Sequence, residues 1–281
     1  MVVDGPRDWG FPNPATPAGS STYYSLRFAP ADLRDDLAAL HGWRHQVRAV
    51  LDQVSDPGVA TAKLGWWREE LQRTFAGTPT HPLSKRLAPL IDRLGSGPKP
   101  FLDLAWSTEA ALTRHWPKDL GELRACAAQD LGALFELVLR LQSQAGGAPD
   151  PGQIARVRRL GAYCSIVYQI RDSGWLLHRG RLGFIPADRL RSLGLTPESL
   201  GQPAGRHQMP RLLGEVAQEA RGLRGDGDDL ADLPVTMRVR VRILDLLLAE
   251  LEAVGFDLLD RRVGLTPIRK LWHAWRESRR P

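Results

Sequence analysis

The feature that most constrains this chain is the spacing of its apolar residues, which recur every three or four positions through most of its length. One such run comprises Leu33, Leu37, Leu40, Val47, Val50, Leu51 and Val54. This spacing places the apolar side chains on one face of an α-helix. The sequence contains no series of strands separated by turns, and the alternating segment 237–243 continues into a helical pattern. We therefore predict an all-α protein.

Proline and glycine divide the pattern into about ten helices, which we expect to pack as one domain. The predicted helices span about residues 30–54, 59–75, 82–94, 119–144, 151–177, 207–223, 234–254 and 266–279, with shorter helical segments before residue 114. Residues 1–19 are rich in proline and glycine, so they are predicted to form a flexible lead before a domain at 20–281.

The composition restricts the classes of function. Hydrophobic residues make up 43% and charged residues 25%, which excludes disorder of the whole chain. The net charge of +6 suits an anionic ligand or surface, but the basic residues are scattered, so no nucleic acid is expected. No apolar run approaches the roughly 18 residues of a membrane helix, and the two cysteines form no CxxC motif. We expect a cytoplasmic protein, with peripheral contact at the inner face of a membrane left open.

Five blocks of residues occur in order along the chain. They are residues 20–24 with Phe28 and Pro30, residues 40–52, Asp56 and Pro57 with residues 63–70, then Gly77, Pro79, His81 and Pro82, and finally Gly180 and Arg181 with residues 184–186 and Asp188. Over about residues 20–275 this order resembles the squalene/phytoene synthase family, the head-to-head prenyl-diphosphate condensing enzymes. The resemblance implies a single-domain, prenyl-synthase-like helical bundle with a central cavity.

The aspartate-rich motifs of that family are incomplete in this chain. In the family, carboxylates on two facing helices hold Mg²⁺ ions, which neutralise the departing diphosphate. Here the first aspartate pair falls on Arg48 and Ala49, which leaves Asp52, and the second motif keeps Asp172 but has Leu176 at its last aspartate. Asp52 and Asp172 are therefore remnant motif positions, and no catalytic residue is assigned.

The resemblance and these departures together imply a catalytically degenerate member of the family. Such a protein would bind an isoprenoid or lipid-like ligand, or a partner protein in an assembly-factor-like role, with no cofactor and no metal site. The alternative is an active prenyltransferase of squalene/phytoene-type biosynthesis, which would use Asp52 and Asp172 with a reduced set of Mg²⁺ ions.

Six residues at motif positions or beside them form the candidate ligand-binding set. They are Ser21, Tyr24, Arg48, Tyr168, Arg171 and Arg181. Arg48 either forms an ion pair with Asp52, four residues later on the same helix, or faces the former metal site and holds an anion directly. Asp172 is expected to be paired with the arginines near it in the sequence. Tyr163, Tyr168 and Trp175 are expected either to fill the cavity or to line it.

The last predicted helix is amphipathic. Leu265, Ile268, Leu271, Trp272 and Trp275 form one apolar stripe, and basic residues occupy the other faces. Helices of this kind lie in the interface of anionic membranes. The stripe therefore either packs on the bundle or makes weak contact with an anionic membrane.

Overall fold

The computed structural model describes residues 9–143, 147–225 and 230–280. Its helices are α1 (Ser21–Arg27), α2 (Arg34–Gln53), α3 (Pro57–Phe75), α4 (Pro82–Leu87), α5 (Ile91–Leu94), α6 (Lys99–Leu112), α7 (Leu120–Ala127), α8 (Ala133–Gln142), α9 (Pro151–Arg171), α10 (Ser173–His178), α11 (Ala187–Ser192), α12 (Pro203–Arg224), α13 (Val235–Ala253) and α14 (Pro267–Ser278). The described ranges contain no β-strand, which confirms the all-α prediction.

Several helix bounds differ from those predicted. The predicted helix 82–94 is divided by a 3₁₀ turn at Ala88–Leu90, because Pro89 cannot donate a backbone hydrogen bond. The predicted helix 151–177 is interrupted at Asp172, which lies between the end of α9 and the start of α10. The predicted end at residue 144 lies outside the described residues. Residues 237–243 are helical and lie within α13.

The core is built around α2 and α9. Trp43 of α2 is buried, and its ring meets Trp67 of α3 edge-on at 5.3 Å and Phe101 of α6 at 5.8 Å. α9 packs against α8, α12 and α13. α2 contains Asp52, and α9 ends at Arg171, directly before Asp172, so these two helices carry the positions of the two aspartate-rich motifs. No helix of the described chain is both long enough and apolar enough to cross a membrane.

The predicted flexible lead is packed over the part that the structure describes. Residues 1–8 lie outside the described residues, but Trp9, Asn13 and Thr16 are buried. The Asn13 amide nitrogen donates to the carbonyl oxygens of Trp9 and Ala38 at 2.9 and 3.0 Å. Gly42 of α2 leaves room for the Trp9 ring, because a Cβ atom at position 42 would lie only 2.9 Å from a carbon of that ring.

A π-helical turn, Ala128–Gly132, joins α7 to α8. At this turn α9 approaches so closely that a Cβ atom on Gly161 would lie 2.4 Å from the carbonyl oxygen of Leu131 and 2.5 Å from Cα of Gly132. Only glycine fits at position 161. One helical turn later on α9, Ser165 reaches the π turn and donates a hydrogen bond to Asp130 across 2.7 Å.

Candidate functional site

The bundle encloses the central cavity that the resemblance implies, with a volume of about 770 Å³. Its walls come mainly from α2, α6, α7, α9, α10, the π turn, residues 14–22 and residues 180–184, with single side chains from α13 and α14. This volume lies in the range of cavities that hold small ligands. Tyr168, Trp175 and Leu176 line the cavity without closing it.

Positive side chains dominate the polar part of the cavity wall. Eight arginine and lysine residues line it, against three aspartates: Arg44, Arg48, Arg114, Arg171, Arg181, Arg240, Arg262 and Lys270, with Asp52, Asp130 and Asp172. Charges of one sign in a concave, poorly solvated site raise the local concentration of the opposite ion. The cavity therefore favours a ligand that carries negative charge.

Asp52, the remnant of the first motif, is held by two arginines from the other side of the cavity. Its Oδ1 atom accepts hydrogen bonds from Arg179 at 2.7 Å and from Arg181 at 2.9 Å. Arg181 also donates to the carbonyl oxygen of Leu51, and Arg179 stacks on the ring of Trp175 at 4.3 Å. The two arginines, rather than Arg48, thus provide the ion pairs of Asp52.

Asp172, the remnant of the second motif, is paired with its neighbour in the sequence. Arg171 donates to the two carboxylate oxygens at 2.8 and 2.5 Å, and Arg262 lies 3.7 Å away. Burial would lower the pKa of Arg171, but the hydrogen bond and charge of Asp172 raise it above its ordinary value. The expected pairing of Asp172 with Arg171 is present, whereas Arg179 and Arg181 pair with Asp52 instead.

Arg48 faces the cavity and a carboxylate that the sequence analysis did not identify. Its Nη1 atom lies 3.8 Å from Oδ1 of Asp130, which is only 4% exposed. Asp130 also accepts two hydrogen bonds from Arg44, at 2.7 and 2.8 Å, and one from Ser165. Burial opposes its ionisation, yet the charges of Arg44 and Arg48 hold the pKa of Asp130 well below its ordinary range.

Arg240 of α13 is the second residue that the sequence analysis missed. Its side chain is buried and lines the cavity, where it donates to the Tyr168 phenol oxygen at 3.1 Å and to Ser25 Oγ at 3.4 Å. Among the described residues it has no carboxylate partner, and its buried Nε atom has no hydrogen-bond partner.

His41 of α2 also lines the cavity. Burial and the nearby charges of Arg240 and Arg44 lower the pKa of His41 well below its ordinary value, so that imidazole is neutral.

Five of the six predicted ligand-binding residues line the cavity, namely Ser21, Arg48, Tyr168, Arg171 and Arg181. Tyr24 does not line it, because its side chain lies on the buried side of α1, where its ring meets Tyr23 edge-on at 5.3 Å. Tyr163 lies behind the wall and donates a hydrogen bond to Asp245 at 2.9 Å. The Tyr168 ring lies 4.7 Å from the guanidinium carbon of Arg171.

The donor set of the cavity does not fit a Mg²⁺ cluster. Mg²⁺ needs oxygen ligands in nearly octahedral geometry. Asp52 and Asp172 are both engaged by arginines, and Ala49 and Leu176 offer no side-chain oxygen. No group of three or more histidine, cysteine, aspartate or glutamate side chains within the described ranges is arranged to hold a metal ion.

Comparisons with known proteins agree with the fold described above. The family model described as squalene/phytoene synthase matches residues 15–269. Among solved structures, a dehydrosqualene synthase in complex with ligand has a TM-score of 0.76 at 16% identity, covering 92% of this chain and 90% of that chain. Squalene synthase HpnC from Alicyclobacillus acidocaldarius has a TM-score of 0.71 at 20% identity, covering 83% and 88%.

A third structure, YisP from Bacillus subtilis subsp. subtilis strain 168, has a TM-score of 0.63 at 15% identity, covering 91% of this chain and 89% of that chain. At these identities the structural likeness concerns the fold alone. A search of curated proteins found no match.

Proposed function

The chain belongs to the squalene/phytoene synthase family, and on that premise we propose that it binds a lipid-like ligand with an anionic head, such as an isoprenoid diphosphate, without ionising it. The observation that carries this function is the pairing of both remnant aspartates with arginine. Asp52 is bound by Arg179 and Arg181, and Asp172 by Arg171. Neither carboxylate is available to a metal unless these arginines move away.

The energetic comparison favours the arginines. Hydrogen bonds between guanidinium and carboxylate at 2.5 to 2.9 Å are charge-assisted, and the pair of Arg171 with Asp172 is bidentate. Mg²⁺ loses its water reluctantly, and it would also have to approach the positive charge of Arg48. A diphosphate, in contrast, gains favourable charge interactions with the arginines of the cavity wall.

The cavity wall carries both kinds of side chain that such a ligand needs. Arg48 and Arg240 present guanidinium groups to the negative head, and their planar donors match phosphate oxygens. Trp106, Trp116 and Phe184 also line the cavity and offer apolar surface to a hydrocarbon chain. In this arrangement the arginines stabilise the intact diphosphate, and no Lewis acid assists its departure.

The alternative is an active prenyltransferase with a reduced metal set. Its support is that Asp52 and Asp172 both border the cavity and that the cavity is open to a ligand of several carbon atoms. It requires that Mg²⁺ and diphosphate together displace the arginines from both aspartates. A further alternative is a scaffold that binds only a partner protein, and this function needs neither a ligand nor a metal in the cavity.

Titration with farnesyl and geranylgeranyl diphosphate, with EDTA or with Mg²⁺, distinguishes these functions. Fluorescence of the cavity tryptophans reports binding, and analysis of the products reports chemistry. We expect saturable binding in EDTA, with the ligand recovered intact in both conditions. Release of diphosphate only with Mg²⁺ would establish the prenyltransferase alternative. Failure to bind either ligand would contradict the lipid-binding function and favour the protein scaffold.

A further inference from the structure

The C-terminal helix α14 turns its apolar side outward. Ile268 is 81% exposed and Trp272 55% exposed, and Leu271 and Trp275 are exposed as well. Nine large apolar side chains are exposed in the described chain, and four of them lie on this one helix of 12 residues. The expectation that the stripe packs on the bundle holds only for Leu265, which precedes the helix and is buried.

Polar contacts attach α14 to the rest of the molecule. Its inner side carries Ala274 and Glu277, which are buried, and Lys270, which donates to the carbonyl oxygen of Gly19 at 3.0 Å. Glu277 lies 3.6 Å from Arg242 of α13. The outer apolar residues therefore contribute little to the packing of this helix, and their exposure to water is unfavourable unless another surface covers them.

Exposed arginines lie beside the apolar stripe. Two other basic residues near it, Arg269 and Arg280, pair with Glu250 and Glu277. Within residues 267–280 there are five arginine and lysine residues and a single acid, Glu277, which is buried. Arg276 is exposed, and Arg279 lies over the ring of Trp275 at 5.0 Å. The surface that covers this stripe must therefore be apolar in its interior and negatively charged at its boundary.

We propose that the outer side of α14 docks on an anionic lipid bilayer, independently of what the cavity binds. Trp272 and Ile268 would enter the interface while the arginines contact the head groups. A second copy of the chain fits less well, because a symmetric contact would place the same arginines opposite one another. Lys270 and Arg262 line the cavity near this helix, so docking would also bring the cavity close to the bilayer.

Co-sedimentation with two kinds of vesicle tests this inference, one of phosphatidylcholine alone and one containing a quarter phosphatidylglycerol. The apolar variant carries Ile268→Glu and Trp272→Glu, and the charge variant carries Arg276→Glu and Arg279→Glu. Val59→Glu is the matched control, because Val59 on α3 is also a largely exposed apolar residue but belongs to a different surface. Circular dichroism and thermal melting establish that each variant is folded.

We expect the wild type and Val59→Glu to bind the anionic vesicles and not the neutral ones. The charge variant should lose at least about tenfold in partitioning, because it replaces two basic residues near the anionic surface by acids. The apolar variant should lose at least as much, because it removes the side chains that enter the interface. Equal binding of both vesicles, no binding by the wild type, or the same loss in Val59→Glu would overturn the assignment. A wild-type dimer that Ile268→Glu alone dissociates would show that a second copy covers the stripe.

Discussion

Arg240 donates a hydrogen bond to the phenol oxygen of Tyr168 across 3.1 Å, and no carboxylate of the described chain neutralises its guanidinium. A buried charge without a counter-charge is costly to fold. Arg240 is only 4% exposed and lies in the cavity wall. An anionic ligand would supply the missing negative charge. We therefore expect Arg240 to strengthen ligand binding and to lower the free energy of unfolding of the protein without ligand.

The first prediction concerns Arg240→Gln. We expect the affinity for farnesyl diphosphate to fall at least about tenfold, because a charge-assisted contact is worth about 1.5 to 3 kcal/mol, while the free energy of unfolding stays the same or rises. Fluorescence titration and chemical denaturation measure the two quantities. Arg242→Gln is the control, because Arg242 lies on the same helix but pairs with Asp245 and Glu277 outside the cavity. Equal losses of affinity in both variants would contradict a specific role for Arg240.

The second prediction concerns Asp130→Asn, which removes the negative partner of Arg44 and Arg48. We expect the free energy of unfolding to fall by about 2 to 3 kcal/mol, because two hydrogen bonds from Arg44 lose their charged acceptor. Urea denaturation measures this change. The exposed pair of Asp257 and Arg261 is the control, and Asp257→Asn should cost less than about 1 kcal/mol. A loss in Asp130→Asn no larger than that of the control would show that the pairing of Asp130 with Arg44 and Arg48 contributes little to the free energy of unfolding.

The third prediction concerns pH and Glu70, which joins the end of α3 to the start of α4. Burial would raise its pKa, but hydrogen bonds from Thr80, His81 and Arg73 lower it to about 2. A depressed pKa stabilises the fold above the ordinary glutamate pKa. This contribution is lost as the pH falls from about 4.5 toward about 2, and it amounts to at most about 3 kcal/mol.

Denaturation of the wild type and of Glu70→Gln across pH 2 to 7 measures this contribution, with the pH range set by the ordinary and shifted pKa values. Glu70→Gln should be the less stable protein at neutral pH, and the difference should shrink toward pH 2. Glu69→Gln, at the exposed neighbouring position, is the control and should stay close to the wild type. A difference that does not change with pH would contradict the assignment of this pH dependence to Glu70.

The fourth prediction contrasts two glycines in helices. Gly161→Ala places a Cβ atom against the π turn, so we expect the free energy of unfolding to fall by about 2 kcal/mol or more. We also expect weaker ligand binding, because Ser165 would move away from Asp130. Gly65→Ala on α3 meets nothing within 4 Å and should stabilise the protein by about 0.5 to 1 kcal/mol. Thermal melting of both variants gives the signs, and a stabilised Gly161→Ala would contradict the close approach.

The fold followed from the sequence because helical periodicity is a local property. The helix ends were harder to predict, because Asp172 and Pro89 interrupt helices without any break in the apolar pattern. Periodicity also shows that α14 has an apolar face, but it does not show which side of the helix the rest of the molecule covers. The stripe at Ile268 and Trp272 was therefore an open question until its exposure was known.

The site was predictable where a motif position lines the cavity, as Arg48, Tyr168 and Arg171 do. Asp130 gave no signal, because its stretch of sequence reads as an uninterrupted helix and its position depends on the contact of Gly161 with the π turn. Arg240 was hidden among alternating arginines at 238, 240 and 242, of which it is the one that lines the cavity. Both roles arise from tertiary packing.

The proximity of Arg48 to Asp130 has a consequence for any attempt to build a metal site into this cavity. The substitution Arg48→Asp would set a carboxylate beside the buried Asp130 and remove one of the charges that keep Asp130 ionised. The arginines on Asp52 would still occupy that carboxylate. A carboxylate at position 48 would thus not by itself open a place for a metal ion, because the remaining carboxylates of the cavity would still be bound by arginine.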